Sequence, residues 1–443
     1  APVLVHNGRL LTVRYLFAAA VCFGVLFPAV AATARQPNIV LIISDDQSWT
    51  DFGFMGHKVI KTPSLDRLAA ESVVFPRGYV PTSLCRPSLA SMVSGLYPHQ
   101  HKITGNDPPR GTDRREMLRH IKRIPSLPRL LAKKGYLSHQ SGKWWEGHYE
   151  LGGFTHGMTT TGRHGGPGLT IGRKGLKPIF DFIDAAGEKP FFIWYAPFLP
   201  HTPHNPPARL LSKYKAEGKS IHIARYQAMC EWFDETCGEL LGYLDKKKLS
   251  DDTLVVFVTD NGWTQKENSR GSGKKSKRSP FEGGTRTPIM LKWPGKLKPA
   301  SHGTLASSID LAPTILAAAG LEADPAMQGI NLLEVCAAGG KSSRDTIFGE
   351  IFEHDVVGID DPVPGLLYRW CISGQWKLIL PHRGSPVISR KRQSRYRDPI
   401  WDKPQLFNLG VDPYEKNDLA AAMADKVKAL GSDIESWWKV EKP

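Results

Sequence analysis

The chain has 443 residues, of which 41% are hydrophobic and 23% are charged, and its formal net charge is +15. This composition is typical of a globular protein long enough for one large α/β domain and a smaller second one. The positive charge indicates either an anionic partner or a solvated basic surface. Nucleic acid is not expected as the partner, because the sequence has no zinc-finger spacing, RNP-like aromatic motif or heptad-linked basic region.

The N-terminal segment has the pattern of an export signal. Arg9 and Arg14 precede an apolar run that is interrupted by Gly24 and Pro28 and ends in small residues. A charged start, an apolar centre and an Ala-x-Ala-like end predict a signal peptide over residues 1–34. A membrane anchor is the alternative, but the apolar run is short for one. We therefore expect an exported protein, periplasmic or secreted, with no stable membrane anchor after cleavage.

Strands alternate with helices from residue 38 onward. Continuous apolar runs and helical spacing predict strands at 38–43, 191–196 and 254–258, and helices at 62–69, 127–135, 227–244 and 309–319. This alternation predicts a large, mostly parallel sheet sandwiched by helices over residues 35–340. Two long loops rich in glycine and basic residues, 152–175 and 266–280, are expected to line a site.

The pattern of predicted secondary structure changes after about residue 341. The sequence predicts two strands, at 367–372 and 375–380, joined by a tight turn. A basic insert (383–397), a further short strand (406–409) and a final helix (419–438) follow. We predict a smaller C-terminal α+β subdomain over 341–443 with an antiparallel sheet.

Acidic side chains follow two of the predicted strands. Asp45 and Asp46 come after the first strand, and Asp260 and Asn261 come after the third. Open α/β sheets bind their ligands at the carboxyl ends of their strands. Adjacent carboxylates are costly to hold together without a cation, and oxygen donors without histidine favour calcium or magnesium over zinc.

Cys85 lies in the segment 81–95, after a stretch with strand character and at the start of a run with helical spacing. Pro87 suits the first turn of that helix, which places Cys85 at a helix N-terminus, where an anion is favoured. A buried cysteine in an ordinary helix is the alternative interpretation.

Ser83 to Ser88, followed by Gly95, resembles the signature of the type I sulfatases of the alkaline phosphatase superfamily. The family pattern is Cys-x-Pro-x-Arg, whereas this chain has Leu89 at the last position. The resemblance implies an alkaline phosphatase-like fold. It also implies that a maturation enzyme converts Cys85 to formylglycine, whose hydrated aldehyde attacks the sulfur of a sulfate ester. By the same resemblance, Asp45, Asp46, Asp260 and Asn261 bind one calcium ion, which also contacts residue 85.

Further segments resemble the family in order along the chain. Gly142-Lys143-Trp144 resembles its Gly-Lys-Trp-His motif, with Trp145 at the histidine position, so His148 becomes a substitute candidate. The segment from His201 resembles its His-x-Pro segment, and 277–288 resembles its Lys-x-x-x-Tyr-Glu-Gly-Gly-x-Arg-x-Pro segment, with Lys277 as the lysine. The resemblance implies that Lys143, His201 and Lys277 contact the sulfate.

The segment 405–413 resembles the family's C-terminal Leu-Tyr-Asp-Leu-x-x-Asp-Pro, so the matches span nearly the whole mature chain. The expected function is a sulfuric ester hydrolase acting on a sulfated polysaccharide or oligosaccharide. A phosphodiesterase or phosphonate monoester hydrolase of the same superfamily is one alternative. The other, motivated by Leu89 and Trp145, is a non-catalytic protein that binds sulfated glycans.

Overall fold

The computed structural model of the protein describes residues 35–218, 220–382 and 402–441. The predicted signal peptide (1–34) and the basic insert (383–397) lie outside these residues. Among the described residues, no helix combines the length and the apolarity that crossing a bilayer requires. The described residues from Gln36 onward form one compact unit, and the domain boundary after residue 340 stays a prediction.

The α-helices are distributed along the whole described chain. They are α1 (Pro63–Ala70), α2 (Cys85–Ser94), α3 (Pro98–His101), α4 (Leu127–Ala132), α5 (Lys177–Ala186), α6 (Ala208–Tyr214), α7 (Ile221–Lys246), α8 (Glu282–Thr285), α9 (Leu311–Ala318), α10 (Leu332–Ala337) and α11 (Ala424–Trp437).

The strands form two sheets. The first contains β1 (Asn38–Ser44), β2 (Val73–Tyr79), β3 (Leu137–Gly142), β4 (His156–Gly157), β5 (Phe191–Ala196), β6 (Thr253–Thr259), β7 (Arg286–Lys292), β8 (Ala300–Ser301) and β9 (Ala306–Ser307). The second contains β10 (Thr346–Phe352), β11 (Leu366–Ser373), β12 (Trp376–Pro381) and β13 (Gln405–Asn408).

The first sheet is mostly parallel. Its order is β4-β3-β5-β1-β6-β7-β2-β8, with β9 also paired to β2. Strands β4, β3, β5, β1 and β6 run parallel, and β7 is antiparallel to both β6 and β2. Two successive reversals restore the direction, so β2 runs the same way as β1. The carboxyl ends of β1, β2, β3, β5 and β6 therefore meet at one edge of the sheet.

Helices cover both faces of this sheet, as β1 illustrates. Ile39 and Leu41 pack into one apolar cluster, together with side chains of α2, α4 and α9. Val40 and Ile42 pack into a second cluster, with side chains of α1, α5 and α7. Successive strand residues point to opposite faces, so a continuous apolar strand requires two covered faces. The predicted helix–sheet–helix sandwich is confirmed.

The second sheet is antiparallel throughout, in the order β10-β11-β12-β13. Tyr79 of the first sheet and Phe281 pack in one buried cluster with Ile347 and Trp370 of the second. The predicted C-terminal antiparallel sheet is thus confirmed. The sequence patterns missed β3 and β7, and the helix predicted at 127–135 ends at Ala132.

Candidate active site

The two predicted acidic strand ends meet at the carboxyl edge of the first sheet. The backbone N–H of Asp46 donates to Asp260 Oδ1 at 3.0 Å, and Asn261 Nδ2 donates to Asp46 Oδ1 at 2.7 Å. These contacts follow from the parallel pairing of β1 with β6, which puts Ser44 opposite Thr259. Asp46 takes a left-handed φ of 61°, a conformation that aspartate tolerates better than most residues.

Each of the four expected metal ligands offers an unused oxygen. Within the described residues, Asp45 Oδ2, Asp46 Oδ2, Asp260 Oδ2 and Asn261 Oδ1 are buried and accept no hydrogen bond. A buried acceptor without a donor is costly, and four in one place are rare in a stable fold. Hard divalent cations take carboxylate and amide oxygens of this kind as ligands. The donor set therefore fits a calcium or magnesium ion.

Lys143 reaches the same cluster from the end of β3. Gly142 has a φ of 85°, and a Cβ there would lie 1.9 Å from the carbonyl oxygen of Ala196, so the turn into Lys143 requires glycine. Lys143 Nζ donates to Asp45 Oδ1 at 2.7 Å and lies 3.7 Å from Asp260 Oδ2. Burial opposes the charge, but Asp45 raises the pKa of Lys143 well above its ordinary value. The side chain is a fixed cation.

Cys85 is the first residue of α2 and is buried at the base of a cavity. Lys277 Nζ lies 2.9 Å from its Sγ and 2.5 Å from Asp46 Oδ1. Burial raises the pKa of the Cys85 thiol to about 12, even though Lys143 and Lys277 act to lower it. A thiol, unlike a thiolate, is a weak nucleophile, so unmodified Cys85 is poorly suited to attack an ester.

His201 faces the same carboxylates from the loop after β5. Its Nε2 lies 3.4 Å from Asp46 Oδ2, and its ring stacks on Phe198 with centroids 4.3 Å apart. Its Nδ1 lies 2.6 Å from the carbonyl oxygen of Thr202, and since a carbonyl only accepts, Nδ1 is the donor. Ligand atoms of Asp45, Asp46, Cys85 and His201 all lie within 4.8 Å of one another.

The structure does not bring His148 to this cluster. Its side chain caps the 3-10 helix Tyr149–Gly152, accepting from the backbone N–H of Glu150 at 3.4 Å, and it is 37% exposed. The structure therefore does not bring His148 to the position of the histidine replaced by Trp145. Trp145 itself is buried.

Two side chains of the signature segment, Arg86 and Leu89, contact residues outside the cavity. Arg86 is buried and forms a bidentate pair with Glu146, at 2.6 Å and 2.8 Å. Leu89 packs in the apolar cluster on one face of the first sheet. Neither side chain lines the cavity above Cys85.

The cavity above Cys85 has a volume of about 670 Å³. Both long loops predicted to line a site contribute to its wall, through Arg163 and His164 from the first and Lys266, Lys274 and Arg278 from the second. The sequence marked these loops by their glycines and basic residues, but no signal in it selected Arg163, His164 or His354. His164 lies close to the catalytic candidates, with its ring centroid 4.2 Å from that of Trp145 and 5.7 Å from that of His201.

Known proteins share this fold and are similar to the chain in sequence. The family model described as Sulfatase matches residues 37–321. Human N-acetylgalactosamine-6-sulfatase is 28% identical, over 89% of this chain and 84% of its own length. Human arylsulfatase A is 29% identical, over 89% of this chain and 85% of its own length. A solved structure of Ps i-CgsB in complex with k-i-k-neocarrahexaose is 24% identical, with a TM-score of 0.72, over 92% of this chain and 94% of that one.

The chain belongs to the sulfatase family, because the family model covers more than half of it and named sulfatases align along nearly its whole length. The protein is accordingly an enzyme of the sulfatase class.

Proposed function

We propose that the protein hydrolyses a sulfate ester on a sulfated oligosaccharide or polysaccharide, using formylglycine made from Cys85 beside one bound calcium ion. The observation that carries this proposal is the set of four buried, unsatisfied oxygens next to residue 85. Two relatives support the substrate class, since one is a sulfatase of N-acetylgalactosamine and the other is solved with a neocarrahexaose.

The implied groups fit the residues present. Asp45, Asp46, Asp260 and Asn261 would hold the calcium ion, which supplies positive charge to the sulfate oxygens. Residue 85, once converted, would supply the attacking hydroxyl of a hydrated aldehyde. The proposed conversion also explains why a thiol of high pKa can occupy the catalytic position.

The chain's own residues bind the anion and handle the proton. The ammonium groups of Lys143 and Lys277 are fixed by carboxylates, so they are oriented before the sulfate arrives. His201 donates from Nδ1 to Thr202, which leaves Nε2 directed at the cluster. A bound anion favours protonation of Nε2 from solvent, and His201 would then pass that proton to the leaving oxygen.

The proposal predicts sulfate release that depends on Cys85. Protein from the native host is assayed on a monosulfated disaccharide, an aryl sulfate and a phosphate diester, and Cys85→Ala is compared with Cys336→Ala. Cys336 is also a free cysteine, but it lies outside the cavity. We expect the sulfate esters to be the better substrates, Cys85→Ala to lose turnover and Cys336→Ala to keep it. Faster cleavage of the phosphate diester would favour a phosphodiesterase, and binding without turnover would favour a glycan-binding protein.

A further inference from the structure

The proposed reaction needs a proton acceptor that the family's histidine position does not supply. Once residue 85 has taken the sulfo group, its remaining hydroxyl must lose a proton before sulfate can leave. Trp145 stands at the histidine position, and the indole nitrogen is a donor only. The acceptor must therefore be another side chain on the wall of the cavity above residue 85.

Three histidines line this cavity, and two of them have other roles. His164 Nε2 lies 2.9 Å from Arg163 Nη1. Because a guanidinium only donates, this Nε2 is the acceptor and its lone pair is already used. His201 faces Asp46 and is the proposed proton donor to the leaving oxygen. The remaining histidine is His354.

His354 has the arrangement of an oriented base. Its Nδ1 lies 2.6 Å from Asp355 Oδ1 and 3.8 Å from Asp107 Oδ2. A carboxylate only accepts, so Nδ1 carries the proton and the lone pair is on Nε2. Within the described residues, Nε2 forms no hydrogen bond. A neighbouring carboxylate thus fixes the tautomer that leaves Nε2 free to take a proton.

Backbone contacts hold this histidine close to the start of α2. His354 follows β10 of the second sheet, and its carbonyl oxygen accepts from the Asn106 N–H at 2.8 Å. Asn106 Oδ1 accepts in turn from the N–H of Arg86, the residue after Cys85, at 3.0 Å. A Cβ at Gly105 would lie 2.9 Å from the His354 carbonyl oxygen, so glycine permits this close approach.

The groups around the His354 ring keep it unprotonated until an anion binds. Burial lowers its pKa to about 3. The cationic side chains that act in the same direction are Arg278, Lys277 and Arg163, and the carboxylate of Asp107 opposes them. The ring is therefore neutral at neutral pH. A bound sulfate ester adds negative charge to the cavity and raises this pKa, so the ring becomes a stronger base when substrate is present.

We infer that His354 is the base that releases sulfate from residue 85, and that Asp355 is its positioning residue. Nε2 takes the proton of the hydroxyl that remains on residue 85. The electron pair of that O–H bond forms the carbonyl bond, the bond from the same carbon to the sulfate oxygen breaks with its pair, and inorganic sulfate leaves. The proton then passes from Nε2 to solvent. This inference rests on the proposed function, because it assigns one step of the same reaction.

The inference predicts that His354→Gln stops the reaction after the sulfo group has been transferred. That transfer uses Lys143, Lys277 and His201 and should survive, whereas sulfate release should slow by at least about a hundredfold. With an aryl sulfate, the phenol should appear in a burst equal to the number of active sites. Mass spectrometry of the tryptic peptide 78–102 should find residue 85 carrying a sulfo group.

Two other histidines provide the comparisons. His156 is exposed and does not line the cavity, so His156→Gln should turn over like wild type without a sulfated peptide. His148 also lies near a carboxylate, with its Nδ1 3.5 Å from Glu150 Oε2, but outside the cavity. Accumulation of the sulfated peptide in His148→Gln rather than in His354→Gln would overturn the inference.

The tautomer of His354 gives a readout that does not depend on turnover. In the full chain carrying Cys85→Ala, nitrogen NMR of the histidine rings, assigned with His354→Gln, should show a proton on Nδ1 and none on Nε2 at neutral pH. Asp355→Asn should shift this signal, because it removes the carboxylate that accepts from Nδ1. A proton on Nε2 instead would overturn the inference, whether or not the protein turns over.

The remaining outcomes separate the inference from the proposed function. Wild-type sulfate release by His354→Gln, or lost turnover without a sulfated peptide, would overturn the inference alone. If His354→Gln does not fold, judged by its thermal transition, Asp355→Asn should accumulate the sulfated peptide, and its absence would count against the inference. A wild-type protein that releases no sulfate, but shows the expected tautomer, would refute the hydrolase proposal.

Discussion

Asp51 is buried and is five positions beyond Asp46, one of the expected metal ligands. Its Oδ2 accepts from the Tyr226 hydroxyl at 2.6 Å and from the Ser48 backbone N–H at 3.0 Å. The same hydroxyl lies 3.3 Å from the carbonyl oxygen of Asp46. Burial outweighs these bonds and raises the pKa of Asp51 to about 7. The change to test is Asp51→Asn, which keeps an acceptor oxygen and removes the titration.

The magnitude follows from linkage. The carboxyl has a pKa of about 3.9 in the unfolded chain. Between pH 4 and pH 7 it is therefore ionised in the unfolded state but still protonated in the folded state, and the free energy of unfolding falls as the pH rises. The destabilisation amounts to about 1.5 kcal/mol at pH 5 and about 4 kcal/mol at pH 8. The free energy of unfolding of Asp51→Asn, relative to wild type, should therefore rise by about 2–3 kcal/mol between these two pH values.

Chemical denaturation at pH 5, 6.5 and 8, followed by tryptophan fluorescence, measures this difference. Any packing cost of asparagine is the same at each pH and cancels in the comparison. Asp181→Asn, on the exposed side of α5, controls for the lost charge. A difference between Asp51→Asn and wild type that stays constant from pH 5 to pH 8 would show that Asp51 is ionised in the fold and would refute the reasoning.

Two further predictions concern charges that the fold buries. Asp260→Ala should lose both bound metal and turnover, because it removes an expected ligand oxygen and the acceptor for the backbone N–H of Asp46. The metal content is measured by mass spectrometry. A variant that keeps both the metal and the turnover would contradict the assignment. Lys377→Met should lower the free energy of unfolding by about 3–5 kcal/mol, because the buried Lys377 Nζ lies 3.0 Å from carboxylate oxygens of both Glu282 and Glu415. Adding Glu282→Gln and Glu415→Gln should recover part of that loss, and no recovery would argue against an electrostatic cause.

The sequence was informative wherever one local pattern determined the structure. The apolar runs that became β1, β5 and β6 were predicted because each is covered on both faces and so has no polar alternation. Predicting these strands also located the residues that follow their carboxyl ends, and so predicted that Asp45, Asp46 and Asp260 lie close together. When neighbouring strands are parallel, their carboxyl ends lie at the same edge of the sheet, so strand order and direction are enough to predict that these acidic residues meet.

Contacts between distant segments could not be predicted in the same way. His148 was selected for its closeness in sequence to Trp145, whereas the structure places His164, nineteen positions beyond Trp145, against that ring. Arg163 lines the cavity while paired with Asp107, which is 56 positions away along the chain. Short polar strands such as β3 were missed because their burial comes from the sheet around them rather than from their own composition.

The chemical state of residue 85 tests the central claim most directly. Trypsin should release it in the peptide 78–102, because the bond between Arg86 and Pro87 resists cleavage. Mass spectrometry of this peptide, from protein purified from the native host, should find the aldehyde of formylglycine at position 85. Unmodified cysteine in protein that nevertheless releases sulfate would contradict the account.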